Sequence, residues 1–318
     1  MKTAFRLLLV SLLFIGTASL VKAQSAEVTH NTWTSGTAMP TAVKMSMTGV
    51  LKKQIYVVGG VTSSAIVADT QVYNPVTNSW STAAMLPVAT FDGTAAVVNN
   101  ILYVIGGTQD GTSATNAVWA YNPKTKTWSS VAAMPTARFG LNAAVEDNII
   151  YVLGGGNASG ILTTVESYNP ATNTWTEEAP LPFVNSGSAV GLLGTTIVDA
   201  GGYTGAGGNT GDTEGYSAAK NTWTSLASDP TARALPCYGT AKGSLFVAGG
   251  AVDSGNAIST NESFKLTKNK WTTLAAMPQA VTDAGSAVYK NVLYCIGGGS
   301  FTVQFNGTVY NNVQIYQP

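Results

Sequence analysis

Apolar and polar positions alternate along this chain in short runs of strand length, bounded by glycine, proline and asparagine. In one such stretch, Arg138 to Val145 predicts a first strand, and Asn148 opens a turn into the β-branched run Ile149 to Leu153, which stops at Gly154-Gly155-Gly156. A polar loop leads to a third strand, Thr163 to Tyr168. Asn169-Pro170-Ala171-Thr172-Asn173 then supplies turn chemistry, because proline presets φ and asparagine can hydrogen-bond its own backbone, and a last strand follows around Thr174 to Glu177. The unit is an antiparallel four-stranded meander. Both of its faces need cover, so copies must stack.

The copies are present. Glycine pairs begin at Gly59, Gly106, Gly154, Gly201, Gly249 and Gly297, spaced by 47 or 48 residues, and Trp33, Trp80, Trp128, Trp175, Trp223 and Trp271 keep the same spacings. An aromatic stands seven residues before each tryptophan but the first: Tyr73, Tyr121, Tyr168, Tyr216 and Phe264. A glycine doublet after an apolar strand, then Tyr, then Trp, resembles the kelch repeat, over residues 31 to 318. The resemblance implies an all-β, six-bladed kelch-type β-propeller, one repeat per blade, with Tyr and Trp rings packed between blades.

The six repeat tryptophans and the six glycine pairs in phase with them are offset. No glycine pair precedes Trp33 and no tryptophan follows Gly297-Gly298, while Tyr316-Gln317-Pro318 stands where other copies read Tyr-Asn-Pro. The strand around Trp33 is therefore expected to complete the C-terminal blade as its outer strand, closing the ring and removing exposed sheet edges. The expected blades are 41–85, 86–133, 134–180, 181–228, 229–276, and 277–318 together with 24–40. Blades 4 and 5, reading Tyr216-Ser217-Ala218 and Phe264-Lys265-Leu266, are expected to differ in hairpin turn.

Residues 1–23 read as a secretory signal, with a basic start, an apolar Leu7 to Leu20 and a small-residue cleavage site at Ala23. The mature domain is then 24–318, secreted or periplasmic, with no membrane insertion and expected as a monomer. Removing Lys2, Arg6 and Lys22 leaves 13 basic against 16 acidic residues, a net charge of about −3 that provides no footprint for nucleic acid. Charged residues are only 10% of the chain, so solubility rests on hydroxyls and amides. Cys237 and Cys295 are the only thiols and fall in adjacent blades, so an interblade disulfide is open to them.

A propeller does not name a function. His30 is the only histidine and is expected as an exposed residue near the closing strand, so no paired-imidazole metal centre exists; neither metal nor cofactor is expected. There is no GxSxG elbow, HExxH or P-loop. Asp253-Ser254-Gly255 reads as a turn, and Gly205 to Gly211 as a flexible loop on the blade surface.

What remains is the loop-rich face around the axis. The mature chain's two arginines, Arg138 and Arg233, occur in the same phrase, Pro-Thr-Ala-Arg, sixteen residues before their glycine pairs; the other blades carry Val43, Thr90, Asn185 and Val281 there. Two guanidinium groups at a pocket mouth would suit a carboxylate, phosphate or acidic side chain. Lys44, Asp92, Asn185 and Asp283 are the neighbouring ligand-binding candidates. Asp199 stands where other blades have an apolar residue or cysteine, and a carboxylate there with a raised pKa would be a weak candidate for acid–base catalysis. Glu166, Glu214 and Glu262, each two residues before the blade aromatic, are expected to build blades.

The leading expectation is an exported, non-enzymatic binding module presenting its loop face to a protein or glycan. The alternative is a cofactor-free sugar mutarotase, since the resemblance extends at fold level to periplasmic kelch-type sialic acid mutarotases; no catalytic residue of that group transfers to a motif here. A structural cell-envelope module is the second alternative.

Overall fold

The computed structural model describes residues 30–301 and 307–318, and the expected signal segment 1–23 lies outside them. The chain folds into a six-bladed propeller in which each blade is a separate four-stranded antiparallel sheet; in five blades the strands neighbour one another in chain order, and the sixth takes its outer strand from near the other end of the chain. Blade 3, for instance, runs Asn142–Glu146, Ile149–Leu153, Val165–Asn169 and Thr174–Glu177. Its first strand starts at Asn142 and not at Arg138, because the left-handed Gly140 (φ 64°) turns the chain before the strand begins.

Blade 6 shows the closure. Thr32–Gly36 pairs with Val313–Gln317, with Trp33 opposite Tyr316, the same register that sets Tyr73 opposite Trp80 in blade 1. The strand around Trp33 is thus the outer strand of blade 6. His30, just before it, is exposed, with Nδ1 2.8 Å from the Pro318 carbonyl oxygen.

The apolar residues form six cores, one between each pair of neighbouring blades. Between blades 2 and 3, Ile105, Val118 and Met134 meet Ile150, Val152 and Tyr168, all fully or nearly buried. Burial of each such side chain contributes about 1.5–3 kcal/mol, and no blade could obtain it alone. Blades approach closely enough that a Cβ on Gly49 would sit 2.7 Å from Cδ1 of Leu102 in the next blade.

Two closed sets of hydrogen bonds tie each blade to the next. At the outside, the Nε1 of each of the six repeat tryptophans donates to a carbonyl of the preceding blade or its exit loop, at 2.7–2.9 Å, from Trp33 to Ala275 around to Trp271 to Ala227. Further in, the second glycine of each pair donates to the loop entering the next blade, including Gly107 to Arg138 and, across the closure, Gly298 to Val43 at 3.0 Å. That approach explains the doublet, since a Cβ on Gly106 (φ 63°) would meet the Arg138 carbonyl at 2.7 Å. Blades 4 and 5 do turn differently. Asn173 N–H reaches back four residues to Asn169, whereas Asn221 and Asn269 reach back three, to Ala218 and Leu266. Cys237 and Cys295 form a disulfide between blades 5 and 6.

Candidate functional site

Two residues beyond the arginine-equivalent position, every entering loop makes a left-handed turn: Met45, Asp92, Gly140, Gly187, Leu235 and Asp283, with φ between 55° and 65°. Each N–H donates to the carbonyl of its counterpart in the preceding blade, from Met45 to Asp283 (2.9 Å) around to Asp283 to Leu235 (3.0 Å), closing a ring on the axis. Four of the six are not glycine, and a left-handed residue with a Cβ costs about 1–2 kcal/mol. Six interlocking bonds hold them there, and the ring carries two carboxylates, Asp283 and Asp92, on either side of Met45.

The ring divides the axial space. On the loop face lies a vestibule of about 340 Å³, and inside lies a cavity of about 100 Å³; Asp92 and Asp283 line both. A third space of about 280 Å³ follows along the innermost strands. Between the last two, Tyr238 of blade 5 donates its hydroxyl across the channel to Asn142 Oδ1 of blade 3 at 2.7 Å. Burial, and then the charge of Asp199, push the Tyr238 hydroxyl pKa well up, so it stays protonated and serves as a fixed donor.

Burial sets the electrostatics of the ring. It pushes the Asp92 carboxyl up to about 7. Asp283 is raised well above the ordinary range, by burial first and then by the charge of Asp92, against the pull of Lys44 and Thr282. Neither Asp283 oxygen has a hydrogen-bond partner of good geometry, so Thr282 helps only through its proximity. Lys44 donates to the Phe301 carbonyl at 2.8 Å, and burial lowers its ammonium pKa while Asp283 supports it.

The vestibule wall is built by the loops after the glycine pairs of blades 4 and 5. Tyr203 is 44% exposed there. Asn209 donates its N–H to Asp253 Oδ1 (2.6 Å) and its amide to the Ala251 carbonyl (2.8 Å), which fixes the loop read from sequence as flexible. Asp92, Asp253 and Asp283 line the vestibule, with no lysine or arginine among its lining residues.

The arginines are elsewhere. Arg138 is 0% exposed and pairs with Glu166 at 2.7 Å, donating also to the carbonyls of Gly154 (2.7 Å) and Thr164 (2.9 Å). Arg233, equally buried, pairs with Asp229 (3.2 Å) and Glu262. Both are fully buried and neither lines any of the three axial cavities, against the expectation of two guanidinium groups at the pocket mouth; each cation is held by buried carboxylates and loop carbonyls. Asn185 plays the same part in blade 4, donating to Asp199 Oδ2 and the Gly201 carbonyl, both at 2.9 Å. Asp199 is pushed up to about 6 by burial, yet it lines none of the three cavities and serves as an acceptor within the blade. The structure brings Asp92 and Asp283 together with Lys44 behind them and separates Arg138, Arg233, Asn185 and Asp199 from the axis. Sequence reasoning missed Tyr203, Asn209 and Asp253. Their signal was their place in the loops that follow the glycine pairs, which read as a turn and a blade-surface loop.

Residues 48–86, 90–135 and 137–182 match the kelch motif. This is a kelch-repeat propeller. Blades 4 to 6 of the kelch ring keep the same glycine, aromatic and tryptophan positions. A solved chain titled "Structure of YjhT" superposes with a TM-score of 0.75, covering 87% of this chain and 96% of that one at 20% identity, a likeness of fold. No curated protein matches the sequence. Among the described residues no helix is long and apolar enough to cross a membrane, and no group of three or more His, Cys, Asp or Glu side chains is placed to hold a metal ion.

Proposed function

We propose that this protein is an exported binding propeller whose axial vestibule takes a carbohydrate. The single observation that carries the reading is a half-exposed aromatic ring, Tyr203, beside Asn209 and Asp253, on the wall of a concave space floored by Asp92 and Asp283. A sugar offers an apolar ring face for an aromatic and hydroxyls for carboxylates and amides. At about 340 Å³ the vestibule falls at the small end of ligand pockets, roughly 300–1,000 Å³. Its acidic lining disfavours anionic sugars and acidic peptides. The signal-like residues 1–23 support export, and the Cys237–Cys295 disulfide suits an oxidising compartment.

Calorimetric titration of neutral monosaccharides, with sialic acid beside them, tests the reading. Binding of a neutral sugar that Tyr203→Ala weakens about tenfold supports it, in line with the roughly 1–2 kcal/mol of an aromatic contact. Binding that is indifferent to Tyr203, or confined to sialic acid, would remove the vestibule as the site. N-terminal sequencing of the exported protein, expected to begin just after Ala23, checks the leader.

One observation favours a second reading. Asp92, pushed up to about 7 beside Asp283, itself raised by burial, puts two carboxyl groups that can hold and exchange a proton at the vestibule floor, the kind of group that anomer exchange of a reducing sugar requires. Exchange rates measured by NMR, equal with and without protein, would exclude it.

A further inference from the structure

We infer that the Asp92–Asp283 pair is an ammonium subsite, and that the ligand of the vestibule is an amino sugar with an unacylated amine. This rests on the carbohydrate reading and names which sugar the vestibule takes. The other buried carboxylates of the blades have a donor of their own: Glu166 has Arg138, Asp229 and Glu262 share Arg233, Asp199 takes the Asn185 amide, and Glu214 takes the Ser225 hydroxyl. Asp283 differs. It is 6% exposed, neither of its oxygens has a hydrogen-bond partner, and it faces both the vestibule and the inner cavity. A buried carboxylate of this kind lacks the set of donors that its burial calls for. Lys44 supports it, but that support is smaller than the combined effect of burial and Asp92.

The missing group has a recognisable chemistry. An ammonium is compact and has three donors, enough for the two ring carboxylates and a sugar-facing acceptor. A divalent metal asks for more protein oxygens, and among the described residues no cluster of three or more acids or histidines is in place. The rest of the lining adds Asp253 and no basic side chain, so the whole vestibule favours a cation. Tyr203, Ser186 and Asn209 then supply a ring face, a hydroxyl and an amide for the body of the sugar.

The test is calorimetric titration of the whole mature protein in neutral buffer at fixed ionic strength with glucosamine, glucose, N-acetylglucosamine and methylammonium. Glucosamine is expected to bind at least about tenfold more tightly than the other three, the scale of a charge-assisted hydrogen bond, and Asp92→Asn should abolish most of that preference of glucosamine over glucose. Equal binding of the three sugars would overturn the ammonium subsite and leave the carbohydrate reading standing. Methylammonium binding as tightly as glucosamine would reduce the site to a cation trap and overturn the amino sugar. Failure of every sugar to bind would overturn both. If Asp92→Asn does not fold, the comparison of glucosamine with its N-acetyl form on the unaltered protein decides alone.

Discussion

Blades 3 and 5 and blades 1 and 6 solve one problem with different chemistry. In each, the loop that enters the blade must be fastened to the blade's own third strand. Blade 3 does it with charge: Arg138 pairs with Glu166, and Thr136 donates to the same carboxylate at 2.7 Å. Blade 1 does it with an amide, since Gln71 accepts from the Thr41 N–H (2.8 Å) and donates to its carbonyl (3.0 Å). Blade 6 repeats the amide with Gln314 and Gln279, and blade 5 the charge with Arg233 and Glu262. Position by position, arginine occurs opposite glutamate and valine opposite glutamine. The arginine therefore answers an acid of its own blade, and its rarity in the chain does not mark a ligand site.

Loss of the closing strand sets the scale against which that comparison is measured. Deleting Ser25 to Ser35 removes most of the outer strand of blade 6 and its Trp33 bond to blade 5, and should lower the melting temperature by well over about 10 °C, because it exposes a sheet edge and an interblade core. A melting temperature within a degree or two of the full chain would sink the ring-closure account. The fasteners come next. Arg138→Val leaves Glu166 buried without its cation and should cost about 3–5 kcal/mol, while Gln71→Ala should cost roughly 1–2 kcal/mol. Arg138→Val with Glu166→Gln rebuilds blade 3 on the blade 1 pattern and should recover most of the loss. A double variant as unstable as the single one in urea melts would show that the two solutions are not interchangeable.

The fold was legible because its determinants are periodic. Glycine pairs and tryptophans at 47 or 48 residues place every blade, and the offset Trp33 places the closure. The site was legible only in part. Asp92 and Asp283 came into view as neighbours of the arginine position, but the ring itself depends on a left-handed φ shared by residues as different as Met45, Leu235 and Gly187, which leaves no common letter to read. The arginines misled because a buried ion pair and a ligand-binding guanidinium look alike in one dimension. Glutamate two residues before the blade aromatic was the available clue, and blade 4 obscures it: Glu214 is there without an arginine and takes Ser225 instead, at 2.9 Å.

The smallest effect comes from the carboxylates that no arginine answers. Asp92, ordinarily near 3.8, is pushed up to about 7 by burial, and Asp199 up to about 6 for the same reason. Between about pH 4 and 7 the folded protein therefore holds protons that the unfolded chain has released, so stability falls as pH rises through that window and levels off above it. Asp110 acts in a different window: backbone N–H groups of Ser113 and Thr112 hold its carboxyl below the usual range, so its contribution is lost only on acidification below about pH 4. Asp92 is only half-buried and borders two cavities, so its share is discounted to about 1–2 kcal/mol, or roughly 2–6 °C in melting temperature. Asp92→Asn should raise the melting temperature at pH 8 by that amount and change it little at pH 4, flattening the slope between. Glu166, answered by Arg138, is the control in the same melts: Glu166→Gln should destabilise at pH 8, the opposite sign, because it strips a buried guanidinium of its carboxylate. Equal signs for the two substitutions would mean that the arginine, and not burial, is irrelevant to how this propeller tolerates an acid in its interior.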